Sequence, residues 1–456
     1  MNELLTVLLQ NRVCALNDRP VRAAGEFVLL WLHGQRRIRN NLAFAHAQRA
    51  ANELGRPLIV YEGLRNDYPY ASARFHQFIL EGVADTAADC EAQGVSYAFF
   101  LQTAGAPRGV LHRLAARAAL VVSDWLPHFV HPAQSDALAA RAPCRVEAVD
   151  AAGVAPLAAF ARAEIAARTL RPKLHKLLPD LLQPIPRVPA RIGGLRRFDW
   201  GFDPWTGAPG AGVRASGVSC EVPPAGVRGG RAAGLRRMHE FLRRGLPGYS
   251  EGRNDPAADR TSGLSPWLHF GHLGAAEIAL AAQESGAPPA DLDAFLEQLL
   301  VRRELAYNAI AHQARLPPWA VRTLREHESD PRPALPSDGE LESARTPSPL
   351  WNAMQTQLVR EGRIHGWLRM LWGKTLLLWS RDAGEALRRM AWLNDKYALD
   401  GRDAVSSASF LWCLGLHDRP FPERPVFGTV RSMSLSSAEK KQDLTAYLRK
   451  FAVDTR

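Results

Sequence analysis

A change of period partway along this chain limits its fold more than any other feature. Phe27 to Leu32 (F-V-L-L-W-L) is a short apolar run, and Pro57–Tyr61, Tyr97–Leu101, Leu120–Ser123 and Arg145–Val149 repeat the pattern. Helical stretches lie between these runs. Asn40 to Glu53 brings Leu42, Ala43, Ala45, Ala47 and Ala50 to roughly helical spacing, and Ala71 to Ala92 reads the same way. Short apolar strands separated by helices predict a parallel sheet with right-handed crossovers. After Ala233 the strand signal stops. Leu235–Leu246, Leu273–Gln283, Asp291–Gln313, Leu350–Glu361, Ile364–Trp379 and Ala383–Leu393 all carry helical periodicity.

Between the two patterns, residues 166–234 accumulate prolines, glycines and basic residues (R-T-L-R-P-K-L-H-K, P-I-P-R-V-P, V-P-P-A-G-V-R-G-G), which predicts a mostly irregular linker. The expected fold class is therefore α/β plus all-α. A doubly wound parallel-sheet domain covers 20–165, the linker 166–234, and an all-helical domain 235–450. A length of 456 residues suits two or three domains. Ser329 to Pro349 reads as a surface loop between helices. No G-x-G-x-x-G follows the first strand, so the dinucleotide fingerprint is absent.

Composition narrows the function classes. With 46% hydrophobic and 23% charged residues, no bilayer-length apolar run and no basic leader at the N-terminus, the chain reads as soluble and cytoplasmic, without a membrane partner. Five cysteines are scattered without a C-x-x-C pair, which points away from a disulfide frame or zinc site, and no metal is expected. The net charge of +11 favours a polyanion partner, nucleic acid foremost; free use of arginine on solvated faces is the plainer explanation.

Four stretches carry chemistry. Trp392 to Gly428 packs Asp395, Asp400, Asp403, Arg402, Ser406, Ser407 and an H-D-R triplet among large apolar residues. Buried charge is costly unless paired or bound to something, so this stretch predicts a pocket for a large polar ligand. Tyr249 to Gly274 crowds Thr261, Ser262, Gly263 and Ser265 ahead of a helix, with Arg253 and Arg260 close by, which suits either phosphate binding or plain N-capping. Asp291 to His312 predicts one strong helix in which Gln298 and Arg302 share a face at i, i+4. Ile364 to Trp379 is nearly continuous apolar sequence, and Arg369 within it needs an anionic partner, for which Asp400 is the candidate. Trp367, Trp372, Trp379, Trp392 and Trp412 concentrate in this half. Each serves as core packing or, for Trp372, Trp379, Trp392 and Trp412, as a step in an electron relay.

Taken together, W-L-H-G-Q-R-R-I-R-N-N, A-A-R-T-L-R-P-K, L-S-P-W-L-H-F-G-H, L-V-R-R-E-L-A-Y-N, H-G-W-L-R-M-L-W-G-K, L-N-D-K-Y-A-L-D-G-R-D and E-R-P-V-F-G resemble the photolyase/cryptochrome flavoproteins, specifically class II cyclobutane pyrimidine dimer photolyases. The likeness covers almost the whole chain. It implies FAD held in the helical domain. Tyr249, Thr261, Ser262, Gly263, Leu264 and Ser265 would cradle its phosphates and ribityl chain, and Arg303, Asp400 and Asp403 would contact the flavin side, with Arg369 paired to Asp400. Met370 would lie at the substrate cavity. The implied activity is light-driven electron transfer from reduced FAD to a dimer flipped out of DNA, with linker arginines on the DNA backbone. Relatives often hold an antenna chromophore in the α/β domain, and nothing in this sequence identifies one.

Three positions depart from the family pattern. Gln298 replaces a glutamate that hydrogen-bonds the dimer. Val405, or Ser406 if the loop shifts, replaces an asparagine that faces flavin N5. Phe421 replaces a tryptophan that packs on the lesion. These changes lie at one implied cavity. They keep open a photolyase-like flavoprotein without dimer repair, either a cryptochrome-type blue-light receptor or an enzyme with another substrate.

Overall fold

The apolar runs of the first third become parallel strands in the computed structural model, which describes residues 3–195 and 197–452. The sheet comprises β1 (Val13–Ala15), β2 (Val28–Leu32), β3 (Leu58–Leu64), β4 (Ser96–Leu101), β5 (Leu120–Asp124) and β6 (Arg145–Val149), in the order β1-β6-β5-β2-β3-β4. Every neighbouring pair is parallel except β1 and β6, where Val13 faces Val149 in antiparallel register. β1 leaves no mark in the sequence pattern, because three residues are too few to show a period.

Helices α1 (Glu3–Leu9), α2 (Leu42–Leu54), α3 (Ala73–Leu80), α4 (Val83–Ala92), α5 (Val110–Arg117) and α6 (His131–Arg141) accompany the sheet. All of β2 is buried, and its side chains alternate between two cores. Val28, Leu30 and Leu32 pack with α1 and α2, whereas Leu29 and Trp31 pack with α5 and α6. Helices on both faces explain why the strands read as unbroken apolar runs. Truncating one of these leucines to alanine costs about 2–5 kcal/mol. Between β5 and β2 the strand order reverses, and there Asp124 accepts the N–H groups of His33, Gly34 and Gln35 at 2.7–3.1 Å. That carboxylate pins the basic loop after β2.

The chain divides into two units. The first holds the residues up to Ala161 with Lys173–His239 and Leu264–Ser285; the second holds Arg162–Pro172, Glu240–Gly263 and the chain from Gly286 onward. Within 166–234, predicted to be mostly irregular, α7 (Ala167–Leu181), α8 (Pro209–Ala215) and α9 (Arg231–Glu240) form. α7 is masked in the sequence by its cations. Leu170 and Leu174, one turn apart, are fully buried, while Arg168, Lys173 and Lys176 stay exposed. Then follow α10 (Tyr249–Gly252), α11 (Ser265–His269) and α12 (Ala275–Gln283).

The rest of the second unit is helical: α13 (Pro289–Leu296), α14 (Arg303–Ala311), α15 (Pro318–Glu326), α16 (Asp338–Glu342), α17 (Pro349–Glu361), α18 (Gly366–Leu378), α19 (Ala383–Tyr397), α20 (Ala404–Cys413), α21 (Leu435–Lys441) and α22 (Thr445–Lys450). A π-helical segment, Glu297–Arg302, joins α13 to α14. Side-chain caps set the helix starts: Ser348 accepts Trp351 N–H and Asp382 accepts Glu385 N–H, while Gly362 at φ 67° ends α17. No described helix is long and apolar enough to cross a membrane.

Candidate functional site

The turn between α19 and α20 concentrates the fixed charge of the helical unit. Arg369, on α18, donates Nη2 to Asp400 Oδ1 at 2.8 Å and Nη1 to Oδ2 at 3.1 Å, with both side chains 14% exposed. A bidentate pair of this kind fixes geometry as well as charge. The turn itself is tied down around it. Asp395 Oδ1 accepts Arg402 N–H at 2.8 Å, Ser406 Oγ donates to the Asp400 carbonyl at 3.0 Å, and Asp403 Oδ1 caps α20 by accepting Val405 N–H at 2.8 Å. These bonds hold Arg402 at φ 59°, a left-handed conformation unusual for a side-chain-bearing residue. Tyr307 donates weakly to Asp403 Oδ2 at 3.5 Å and receives Arg303 Nη2 at 3.3 Å, with the Arg303 guanidinium 4.5 Å from its ring centre. Burial raises the Tyr307 phenol, which therefore remains a donor. Tyr307 carried no signal in the sequence beyond its place in L-A-Y-N.

Gln298 and Arg302 fall in the π-helical segment, which replaces the α-helical phase expected for them. With i→i+5 spacing, Arg302 meets Glu297, its Nε 3.2 Å from Glu297 Oε1, and remains exposed. Glu297 also receives Arg171 at 2.8 and 3.0 Å. Burial would raise the Glu297 carboxyl, but the Arg171 hydrogen bonds and the Arg302 charge hold it below its usual range. Gln298 is half-buried, and Arg303 begins α14 with its side chain inside.

Tyr249 is buried edge-on to Phe241 and Phe295, with ring centres at 5.8 and 5.6 Å. Asp291 positions this turn by accepting Gly248 N–H, Ser250 N–H and the Ser250 hydroxyl at 2.6–2.8 Å. Those hydrogen bonds also lower its carboxyl from the ordinary value. Thr261 and Ser262 are half-buried, and Gly263 turns the chain at φ 64°. Thr261 Oγ1 donates to Asp259, which also receives Arg363 at 3.1 Å. Leu264 and Ser265 belong to the first unit, where Ser265 opens α11.

Comparison with known proteins gives the family of the chain. A family model described as DNA photolyase matches residues 28–190. A deoxyribodipyrimidine photo-lyase of Methanothermobacter thermautotrophicus is 34% identical over 96% of this chain and 97% of that protein. One from Oryza sativa subsp. japonica is 36% identical over 92% of this chain and 86% of its own length. Among solved structures, a class III photolyase from Agrobacterium tumefaciens shares the fold with a TM-score of 0.67, at 18% identity over 94% of this chain and 86% of that one. The chain belongs to the DNA photolyase family.

Within that family framework the tryptophans separate into two groups. Trp372 stacks on Trp351 with ring centres 6.2 Å apart and planes 8° from parallel, and Trp351 meets Trp379 at 5.6 Å. Trp372 Nε1 donates to Gln355 at 3.1 Å, and Trp351 Nε1 to the Trp372 carbonyl at 3.3 Å. Trp351 was not among the relay candidates; on its own helix it reads as ordinary core. Trp392, half-buried on α19, is in ring contact with none of these three among the described residues, and Trp412 lies apart near Lys374. Met370 is half-buried on α18. Val405 is 37% exposed, an unusual position for a large aliphatic side chain on a mostly apolar helix. Two guanidiniums lie over the Phe421 ring, Arg431 at 4.1 Å and Arg419 at 4.9 Å from its centre.

Proposed function

We propose that this protein is a light-driven FAD enzyme of the class II photolyase type that splits cyclobutane pyrimidine dimers in DNA. The observation that carries this reading is the bidentate Arg369–Asp400 pair, locked in a turn whose next carboxylate, Asp403, caps the helix bearing exposed Val405. A guanidinium–carboxylate pair beside a second carboxylate and an apolar face suits a flat ring system with one polar edge, so these residues fit FAD. Arg369, Asp400, Asp403 and Arg303 would hold the flavin side, and Tyr249, Thr261, Ser262, Gly263, Leu264 and Ser265 the phosphates and ribityl chain. When bound, FAD supplies a light-excitable one-electron donor.

The protein's part is to orient and to exclude. The turn bonds keep Asp400 and Asp403 in place, and the buried Tyr307 phenol keeps its proton as a donor. Gln298 offers an amide to a substrate base, with no proton to give up at ordinary pH. Trp372, Trp351 and Trp379 form the contact chain best suited to resupply electrons. The net charge of +11 supports DNA as the partner through phosphate contacts that weaken with salt. Reduced protein incubated with a dimer-containing oligonucleotide under blue light should restore the intact pyrimidines; no repair at large enzyme excess would overturn dimer splitting.

A second reading rests on the three departures from the family pattern. An apolar Val405, an uncharged Gln298 and a Phe421 ring occupied by Arg419 and Arg431 together favour a flavoprotein that does not repair dimers, either a cryptochrome-type receptor or an enzyme with another substrate. Bound FAD with light-driven colour change and no repair would favour it.

A further inference from the structure

Lys374 is fully buried in the middle of α18, between Trp372 and Leu376, and no lysine or arginine described in the helical unit is less exposed. Its Nζ donates to the Cys413 carbonyl at 2.8 Å and stands 4.9 Å from the centre of the Trp412 ring. The charged groups facing it are Asp418, which attracts it, and Arg431, which repels it. Asp418 is itself engaged by Arg431 at 2.7 and 3.1 Å, and Lys374 has no carboxylate within ion-pair distance among the described residues. The neighbouring Cys413 thiol is pushed up to about 11 by burial and stays neutral. Burial lowers Lys374 to about 8, which leaves it largely charged at neutral pH. Its field therefore falls mainly on a peptide carbonyl and an indole face.

A cation over an indole stabilises the neutral ring through the ring quadrupole. It opposes removal of an electron, because the product would be one positive charge facing another in a poorly screened interior. Trp412 follows Val405 by seven residues on α20, which sets it on the same helix face two turns along. Position alone would make it an electron donor to whatever Val405 faces.

We propose that the Lys374 ammonium keeps Trp412 from giving up an electron, so that Trp412 is insulated from the proposed flavin although its helix leads there. This rests on the FAD reading only for the identity of the electron acceptor.

Two measurements on the full-length protein test it. The first needs no flavin: tryptophan emission is titrated through the lysine midpoint at about 8. A change of intensity there, lost in both Trp412→Phe and Lys374→Met, supports the proposal. No change in the unmodified protein, or a change that survives Trp412→Phe, overturns it. The second uses flavin-loaded protein carrying Trp372→Phe, with an external thiol to refill the oxidised indole. One electron leaves an indole and one enters the light-excited oxidised flavin. Adding Lys374→Met should speed flavin photoreduction roughly tenfold, the loss of a desolvated cation–π contact expressed as a rate. Lys374→Arg should leave it slow, and further substitution Trp412→Phe should abolish the gain. No gain, or a gain independent of Trp412, overturns the proposal. Protein that binds no flavin would sink the FAD reading instead, and the emission titration would still decide the hold of Lys374 on Trp412.

Discussion

The two units hold their most deeply buried arginines by different means. In the sheet unit Arg12 donates to the carbonyls of Asp150 and Gly153, and Arg37 to those of Gly271 and Asn40 and to the Gln35 side chain. In the helical unit carboxylates take that role, Asp400 for Arg369, Asp338 and Glu385 for Arg389, Asp259 and Glu361 for Arg363, as Glu62 and Glu277 do for the less buried Arg36 and Arg231 of the sheet unit. A carbonyl partner brings no counter-charge of its own but ties together segments far apart in sequence, as Arg37 ties residues 35–40 to 271–273. A carboxylate partner cancels charge and can share a ligand. The carbonyl-held arginines are therefore framework, and the carboxylate pair at Asp400 is the one proposed to face the flavin. Lys374, held by a carbonyl inside the helical unit, crosses this division.

The comparison breaks most visibly at Arg37. Arg37→Met strands several buried acceptors at once and should cost about 3 kcal/mol or more, read as a lower unfolding midpoint. If the loss is under about 1 kcal/mol, carbonyl-held arginines are not framework.

At the carboxylate pair the expected effect is smaller for stability and larger for binding. Asp400→Asn leaves Arg369 without its counter-charge and should lower stability by about 2 kcal/mol and retained flavin roughly tenfold. Replacing both residues with leucine should recover most of the stability and none of the flavin, because a buried pair is costly to halve and cheap to remove whole. Equal flavin content in all three proteins would detach this pair from the cofactor.

The smallest effect belongs to Lys374 and is a pH slope. Its folded pKa of about 8 lies below the ordinary lysine value of 10.5, so between those values the unfolded chain binds the extra proton and stability rises with pH. From pH 8 to 9 the gain should be about 1 kcal/mol, absent in Lys374→Met. Above 9.0 the Cys413 thiol, pushed up to about 11, contributes with opposite sign: the unfolded thiol ionises first and stability falls. Denaturation midpoints across this range check both signs.

The same division explains what could be read from the sequence. Arg369 could be matched to Asp400 because a carboxylate partner is itself a residue with a letter. The partner of Lys374 and three of those of Arg37 are peptide groups, which every residue has. β2 to β6 were legible because strands covered on both faces need continuous apolar runs, whereas β1 was too short and α7 too cationic to show. The polar turn 394–403 stood out by composition, yet its internal hydrogen bonds did not. Trp351 was missed because its importance lies in a contact with a residue 21 positions away. The π-helical phase of Gln298 and Arg302 is a matter of hydrogen-bond register, to which residue spacing is blind.

That π-helical segment has one more consequence. Glu297–Arg302 carries a residue more than an α-helical ladder requires. An added residue turns everything after it by about 100° while the helix axis runs on without a loop. Phe295 before it can thus keep its place against Phe241 and Tyr249 while Tyr307 after it, with Arg303 on its hydroxyl, is aimed at Asp403. The helix works like a shaft with a fixed coupling in the middle. One side can drift with the demands of packing, and the other can be re-indexed toward a different ligand by a change of a single residue in length.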